Sequence, residues 1–104
     1  MYYIYMLRCE GNTIYTGITN DMKRRWEEHQ TKDEKGAKYT KGHSVLKIEA
    51  IWTTEDRALA SKLEYHIKHL TKEQKENLII TKDLTKYLSK KIECERYQDM
   101  GNKI

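Results

Sequence analysis

YYIYMLRC at residues 2–9, EGN at 10–12 and TIYTGIT at 13–19 together decide how this chain folds. Both longer runs are rich in aromatic and β-branched side chains, which fit a pleated, half-buried surface. Between them Glu10, Gly11 and Asn12 make a three-residue loop in which Gly11 or Asn12 can take positive φ, so the stretch reads as an antiparallel hairpin. With the turn centred on Gly11, Tyr5 lies opposite Gly17 and Tyr15 opposite Leu7. Residues two apart share a face, which sends Tyr5, Tyr15 and Gly17 to one side of the sheet. A glycine inside a strand often marks the close approach of a ligand, and here it leaves an opening between two phenols. The competing reading is that the tyrosines merely suit strands and Gly17 marks a bulge.

Working outward, Asn20 and Asp21 offer an N-cap for a helix MKRRWEEHQ over residues 22–30. Residues 32–44 hold Gly36, Gly42 and a concentration of lysines, and read as a loop. Leu46 to Trp52 alternates well enough for a third strand. Thr53-Thr54-Glu55-Asp56 has the form of a capping box ahead of a helix whose apolar residues, Leu59, Leu63, Ile67 and Leu70, recur at helical spacing. Thr71 to Gln74 is a second capping box, and its helix is expected to run to about Ile79. From Asp83 onward Leu84, Tyr87, Leu88 and Ile92 form one more amphipathic stripe, while residues 93–104 read as frayed. The order β-β-α-β-α-α, in a domain over residues 1–82 with a helical, partly frayed extension over 83–104, predicts an α+β fold. Its centre is a small three-stranded antiparallel sheet flanked by helices.

Composition narrows the classes. At 104 residues the chain is one domain's worth, and its core is small. Aromatic and β-branched residues along the whole length argue against disorder, and the absence of proline excludes proline-rich and collagen-like readings. No apolar run approaches the ~18 residues of a membrane span. Cys9 and Cys94 stand in no CxxC or CxH spacing, so a disulfide framework or zinc site is not expected. The N-terminus lacks a basic leader and a long apolar stretch, from which a cytoplasmic location is expected. A net charge of +4 suits a polyanionic partner. Lys35, Lys38 and Lys41 concentrate that charge in an acid-free stretch and are candidate nucleic-acid contacts, or else a solvated loop.

Three further positions can carry chemistry. Arg25 and His29 sit at i and i+4, one above the other on the first helix, while Trp26 faces elsewhere as core. At about 100° per residue, Glu64 falls on the border of the Leu59–Leu63–Ile67–Leu70 stripe. A partly buried carboxylate there wants a cation, a metal or a backbone donor. The alternative is a rim glutamate paired with Lys68 at i+4.

Taken together, Tyr5, Tyr15-Thr16-Gly17, Arg25, His29 and Glu64 resemble, in spacing, the GIY-YIG nuclease superfamily. The likeness covers residues 2 to about 80. It is echoed by YTGITND at 15–21, RRWEEH at 24–29, GAKYT at 36–40 and LEYHIKHLTKEQKENLI at 63–79. It is closest to small stand-alone bacterial members of uncharacterised function. The resemblance implies three antiparallel strands flanked by helices, and a single-metal phosphodiesterase acting on nucleic acid, DNA by analogy. In that family a tyrosine matching Tyr5 or Tyr15 takes part in activating water, and the arginine matching Arg25 steadies the phosphate. The residue matching His29 lies near the scissile phosphate, and the glutamate matching Glu64 holds one divalent cation. One carboxylate plus waters suits Mg²⁺, or Mn²⁺ in its place. Three departures stand out: Tyr3 replaces the glycine of the first motif, Thr16 sits inside the second, and Ile18 replaces a lysine that some relatives carry. They keep open a second expectation, a nucleic-acid-binding module of the same fold with little or no turnover. A free phenol titrates near 10, so a tyrosine base is expected to need Arg25 or the ion to lower that value.

Overall fold

In the computed structural model residues 1–31 and 44–104 are described; Lys35, Lys38 and Lys41 lie outside them. Strand β1 (Tyr2–Cys9) passes through a short 3₁₀ turn into β2 (Thr13–Thr19), and helix α1 (Met22–Thr31) follows. After β3 (Val45–Thr54) come α2 (Arg57–Lys68), α3 (Lys72–Thr81), the single turn α4 (Thr85–Leu88) and β4 (Gln98–Asp99). All pairings are antiparallel, in the order β2-β1-β3-β4. The fold is α+β as expected, with a fourth strand that the sequence reading lacked.

The hairpin register is the expected one: Tyr5 pairs with Gly17 and Leu7 with Tyr15. Gly11 and Asn12 both take positive φ, 76° and 60°, which glycine and asparagine tolerate best. Because β1 runs between β2 and β3, it is covered on both sides. Ile4 and Met6 face a core shared with Ala50, Trp52, Leu63, Ile67 and Leu78. Tyr5, Leu7 and Cys9 face a second core, with Met22, Ile48 and Ile51, against which Trp26 and Tyr15 pack.

Alternation fails in β3. Met6 pairs with Ala50 but Leu7 with Ile48, so Glu49 is an extra residue, and a second irregularity skips Leu46. A bulge resets which side chains point inward. Ile48 and Ile51 therefore share one face, and Leu46, where the expected alternation starts, is 60% exposed. Glu49, displaced by its bulge, accepts from Arg8 Nε at 2.9 Å, while Arg8 reaches both carboxylate oxygens of Glu76 at 2.6 and 2.7 Å. That fork ties β1 and β3 to α3.

Two helix starts differ in outcome. Thr71 and Gln74 make the expected reciprocal capping box. The box read at Thr53–Asp56 does not form: β3 continues to Thr54, and Asp56 itself caps α2 by accepting from Leu59 N–H at 2.9 Å.

The end of the chain corrects the reading of a frayed, helical extension. The predicted stripe is real, since Leu84, Leu88 and Ile92 are buried in the main core, but helix persists only over Thr85–Leu88. Beyond it, β4 pairs with Trp52 and Thr53, and Met100 and Gly101 exchange backbone bonds with Ile51 at 2.8 Å. The outer edge of β3 would otherwise present unpaired N–H and C=O groups, a demand that side-chain periodicity does not reveal. Tyr97 is buried with its hydroxyl donating to the Leu59 carbonyl at 2.6 Å. Tyr97→Ala is expected to cost about 3 kcal/mol in urea unfolding, the range for an aromatic core truncation. A frayed segment would lose less than about 0.5 kcal/mol.

Candidate active site

The second core holds a polar centre. Tyr5 is fully buried in the middle strand, and its hydroxyl lies 2.9 Å from Nε2 of His29, also fully buried, on α1. Asp21 sets the entry of that helix, accepting from Arg24 N–H at 3.1 Å through its side chain and from Arg25 N–H at 3.0 Å through its carbonyl. One turn before His29, Arg25 Nε donates to the same phenolic oxygen at 3.4 Å. The phenolic oxygen thus meets both Arg25 and His29, and which of the phenol and the imidazole donates in their bond follows the His29 tautomer. The Tyr15 ring completes the group, 5.5 Å from the His29 ring and 6.2 Å from that of Tyr5.

Gly17 is needed here for space. A Cβ at this position would lie 2.5 Å from the Tyr5 hydroxyl and 3.0 Å from the Tyr15 ring. The expected opening between the phenols is thus filled by the Tyr5 ring itself, and the pairing at Gly17 is regular, without a bulge.

Electrostatics oppose the expected activation of Tyr5. Burial pushes its pKa well above the usual 10, and Tyr15 and the Glu64 carboxylate add to the rise, while Arg25 only partly offsets it. The phenol is neutral at rest. His29 is neutral too: burial and then the Arg25 charge depress its pKa to about 4, against a smaller opposite pull from Glu28.

Glu64, on α2, is close enough for its charge to be felt by Tyr5. Its side chain is 23% exposed and lies 3.3 Å from Lys68 Nζ, so the predicted i, i+4 pair exists. Lys68 also stands 6.0 Å above the Tyr15 ring, at the outer limit of a cation–π contact. Among the described residues no group of three or more His, Cys, Asp or Glu gathers as a metal cage. A lone accessible carboxylate fits a hard cation that keeps its waters and shares substrate oxygens, as Mg²⁺ does, and does not fit zinc. The structure thus brings Tyr5, Tyr15, Gly17, Arg25 and His29 together, with Glu64 at the border. Glu28, missed in the sequence, accepts from Arg25 at 2.9 Å; the Arg25–Glu28 spacing of i, i+3 was the available signal.

A small α+β sheet carrying a buried tyrosine–histidine–arginine cluster with one bordering carboxylate is the class that fold and geometry define. Residues 1–77 match the GIY-YIG catalytic domain, and the chain belongs to that family. It is 50% identical over 82 residues to UPF0213 protein FN1575 of Fusobacterium nucleatum, covering 79% of this chain and 80% of that one. UPF0213 protein YhbQ of Salmonella typhimurium is 44% identical, with the same coverage. The solution structure of UPF0213 protein BH0048 from Bacillus halodurans superimposes with a TM-score of 0.52 at 35% identity, covering 89% of this chain and 98% of that one. The family implies a nuclease-type function.

Gly17→Ala is expected to cost about 1–3 kcal/mol, as overpacking does. The loss should be partly relieved in a Tyr5→Phe background, where the nearest atom is gone; equal losses in both backgrounds would mean that the hydroxyl is not the obstacle. For His29, the folded pKa lies below the ordinary 6.5, so its neutral form is favoured by folding. Stability should be full above 6.5 and fall towards about 4, by up to about 1.4 kcal/mol per pH unit. Urea unfolding against pH should show this decline in wild type and lose it over 6.5–4.5 in His29→Gln.

Proposed function

We propose that this protein is a metal-dependent DNA endonuclease that hydrolyses phosphodiester bonds with a tyrosine-assisted water and one divalent cation. The observation that carries the reading is the Tyr5–His29 hydrogen bond at 2.9 Å with Arg25 on the same oxygen, inside a matched GIY-YIG catalytic domain. Phosphodiester hydrolysis needs a proton acceptor, charge neutralisation on the non-bridging oxygens and stabilisation of the leaving alkoxide. Arg25 offers its fork to the phosphate. Once substrate binding admits a water to the buried cluster, Tyr5 would take its proton while handing its own to Nε2 of His29, a relay that avoids a free phenolate. An incoming phosphate is a negative charge beside a depressed imidazole and raises its pKa, so His29 becomes a better acceptor when substrate is present. Glu64 would hold the cation, Mg²⁺ or Mn²⁺, which supplies Lewis-acid stabilisation of the leaving oxygen.

The second reading, a binding module with little or no turnover, is favoured by the Lys68 ammonium on Glu64 and by Ile18 in place of a lysine. Cleavage of nicked, branched and duplex DNA in Mg²⁺ or Mn²⁺ separates the two. Tyr5→Phe is expected to lose about 10²–10⁴-fold in rate, with DNA affinity nearly unchanged, because affinity rests on phosphate charge. Tyr15→Phe should lose less. Glu64→Gln should abolish metal-dependent cleavage with an unchanged circular dichroism spectrum. Wild-type rates in Glu64→Gln or Tyr5→Phe overturn the mechanism, and a wild type that binds DNA without cutting it establishes the binding module.

A further inference from the structure

On the outer side of Arg25, away from Tyr5, lies a cleft of about 270 Å³. Arg24 and Arg25 of α1 and Arg57 at the start of α2 line it, together with Tyr2, Asn20 and Glu28. Three guanidinium groups against one carboxylate leave it a net charge of +2. Glu28 is committed chiefly to Arg25, at 2.9 Å, and stands 3.8 Å from Arg24 Nε. The other contact of the Arg24 guanidinium is a long one, 3.5 Å to Asn20 Oδ1, and its side chain is 58% exposed. Among the described residues the Arg57 side chain makes no hydrogen bond or ion pair. Two planar forks from different helices, neither tied to a close carboxylate, converge on one polar hollow. That geometry suits bidentate capture of an oxyanion, and two forks around one hollow suit a phosphate, whose oxygens can serve both.

We propose that this cleft is a second phosphate subsite, resting for its substrate on the nuclease reading above. It holds a backbone phosphodiester neighbouring the one at Tyr5 and Arg25. Arg24 and Arg57 grip that neighbour, and Arg25, shared between the cluster and the cleft, sets the spacing of the two. The strand is thereby registered by its backbone without reading bases.

Two measurements test this. In the first, side-chain Nε–Hε NMR signals of the arginines are followed while the dinucleotide pTpT is added without divalent metal. The signals of Arg24 and Arg57 are expected to shift. In the second, binding of a short fluorescein-labelled duplex is followed against salt for wild type, Arg24→Gln/Arg57→Gln and a control of equal charge loss, Lys90→Gln/Lys91→Gln. The arginine variant should bind at least about tenfold more weakly than the control. Its slope of log affinity against log salt should shrink by about 0.9 per lost contact, about 1.8 in all. If pTpT moves neither signal, or the arginine variant matches the control, the subsite is overturned. If pTpT moves both but wild type cleaves nothing, the subsite stands and the nuclease reading falls.

Discussion

The hydrogen bond between the Tyr5 hydroxyl and His29 Nε2 is the constraint around which this small domain is arranged. A phenol in the middle strand, shut off from water, must find a partner within the protein or forfeit about 1–3 kcal/mol. Its neighbours on that face are largely apolar, namely Leu7, Met22, Ile48 and Ile51, and α1 supplies what they lack. The helix must then enter at the angle that the Asp21 cap sets, bury His29 completely and lay Arg25 one turn earlier. Gly17 follows from the same requirement, since any Cβ opposite Tyr5 would occupy the space of the hydroxyl. The groups that would do chemistry are thus also core residues, and packing holds them.

Such burial has an electrostatic consequence. An exposed tyrosine beside an arginine is expected to ionise more readily, yet here desolvation outweighs Arg25 and Tyr5 is harder to ionise than a free phenol. His29 is likewise kept neutral. The resting cluster is therefore uncharged apart from Arg25, whose counter-charge, Glu28, lies on its own helix. Under the proposed function, activation has to come from the ligands. A phosphate beside His29 would favour imidazolium, and Glu64, if released from Lys68 to hold a cation, would no longer oppose ionisation of Tyr5.

The hairpin was legible because its signal is local: two β-rich runs and a loop of fixed length set the register, and register alone placed Tyr5 across from Gly17. Arg25 and His29 were legible as neighbours because helical spacing is equally local. Features that depend on distant parts of the chain were not. Nothing near Gln98 or Asp99 announces a strand; they form one because β3, almost fifty residues earlier, offers an unpaired edge. Leu46 opens the alternating run in the sequence, but the bulges in β3 leave it facing outward. Thr53 has a capping sequence, but the same residues are claimed by the sheet first, and Asp56 is left to cap α2. Arg57 carries no pattern of its own and gains meaning only when α2 is brought against β1 and β2, beside Arg24.

The two faces of the sheet divide the work. On one side a large apolar core, joined by the C-terminal residues, and the Arg8 fork to Glu49 and Glu76 fasten α2 and α3 to the strands. On the other side, among the described residues, α1 covers the polar cluster, and its side chains carry both the buried His29 and the outward Arg24. Because α2 is anchored by the first face, Glu64 and Arg57 reach the second from a fixed support, around the β2 edge. A domain of this size cannot enclose a substrate, so it gathers donors from two helices along one edge of its sheet. The substrate class that such an edge suits is an extended polyanion rather than a small molecule needing a closed pocket.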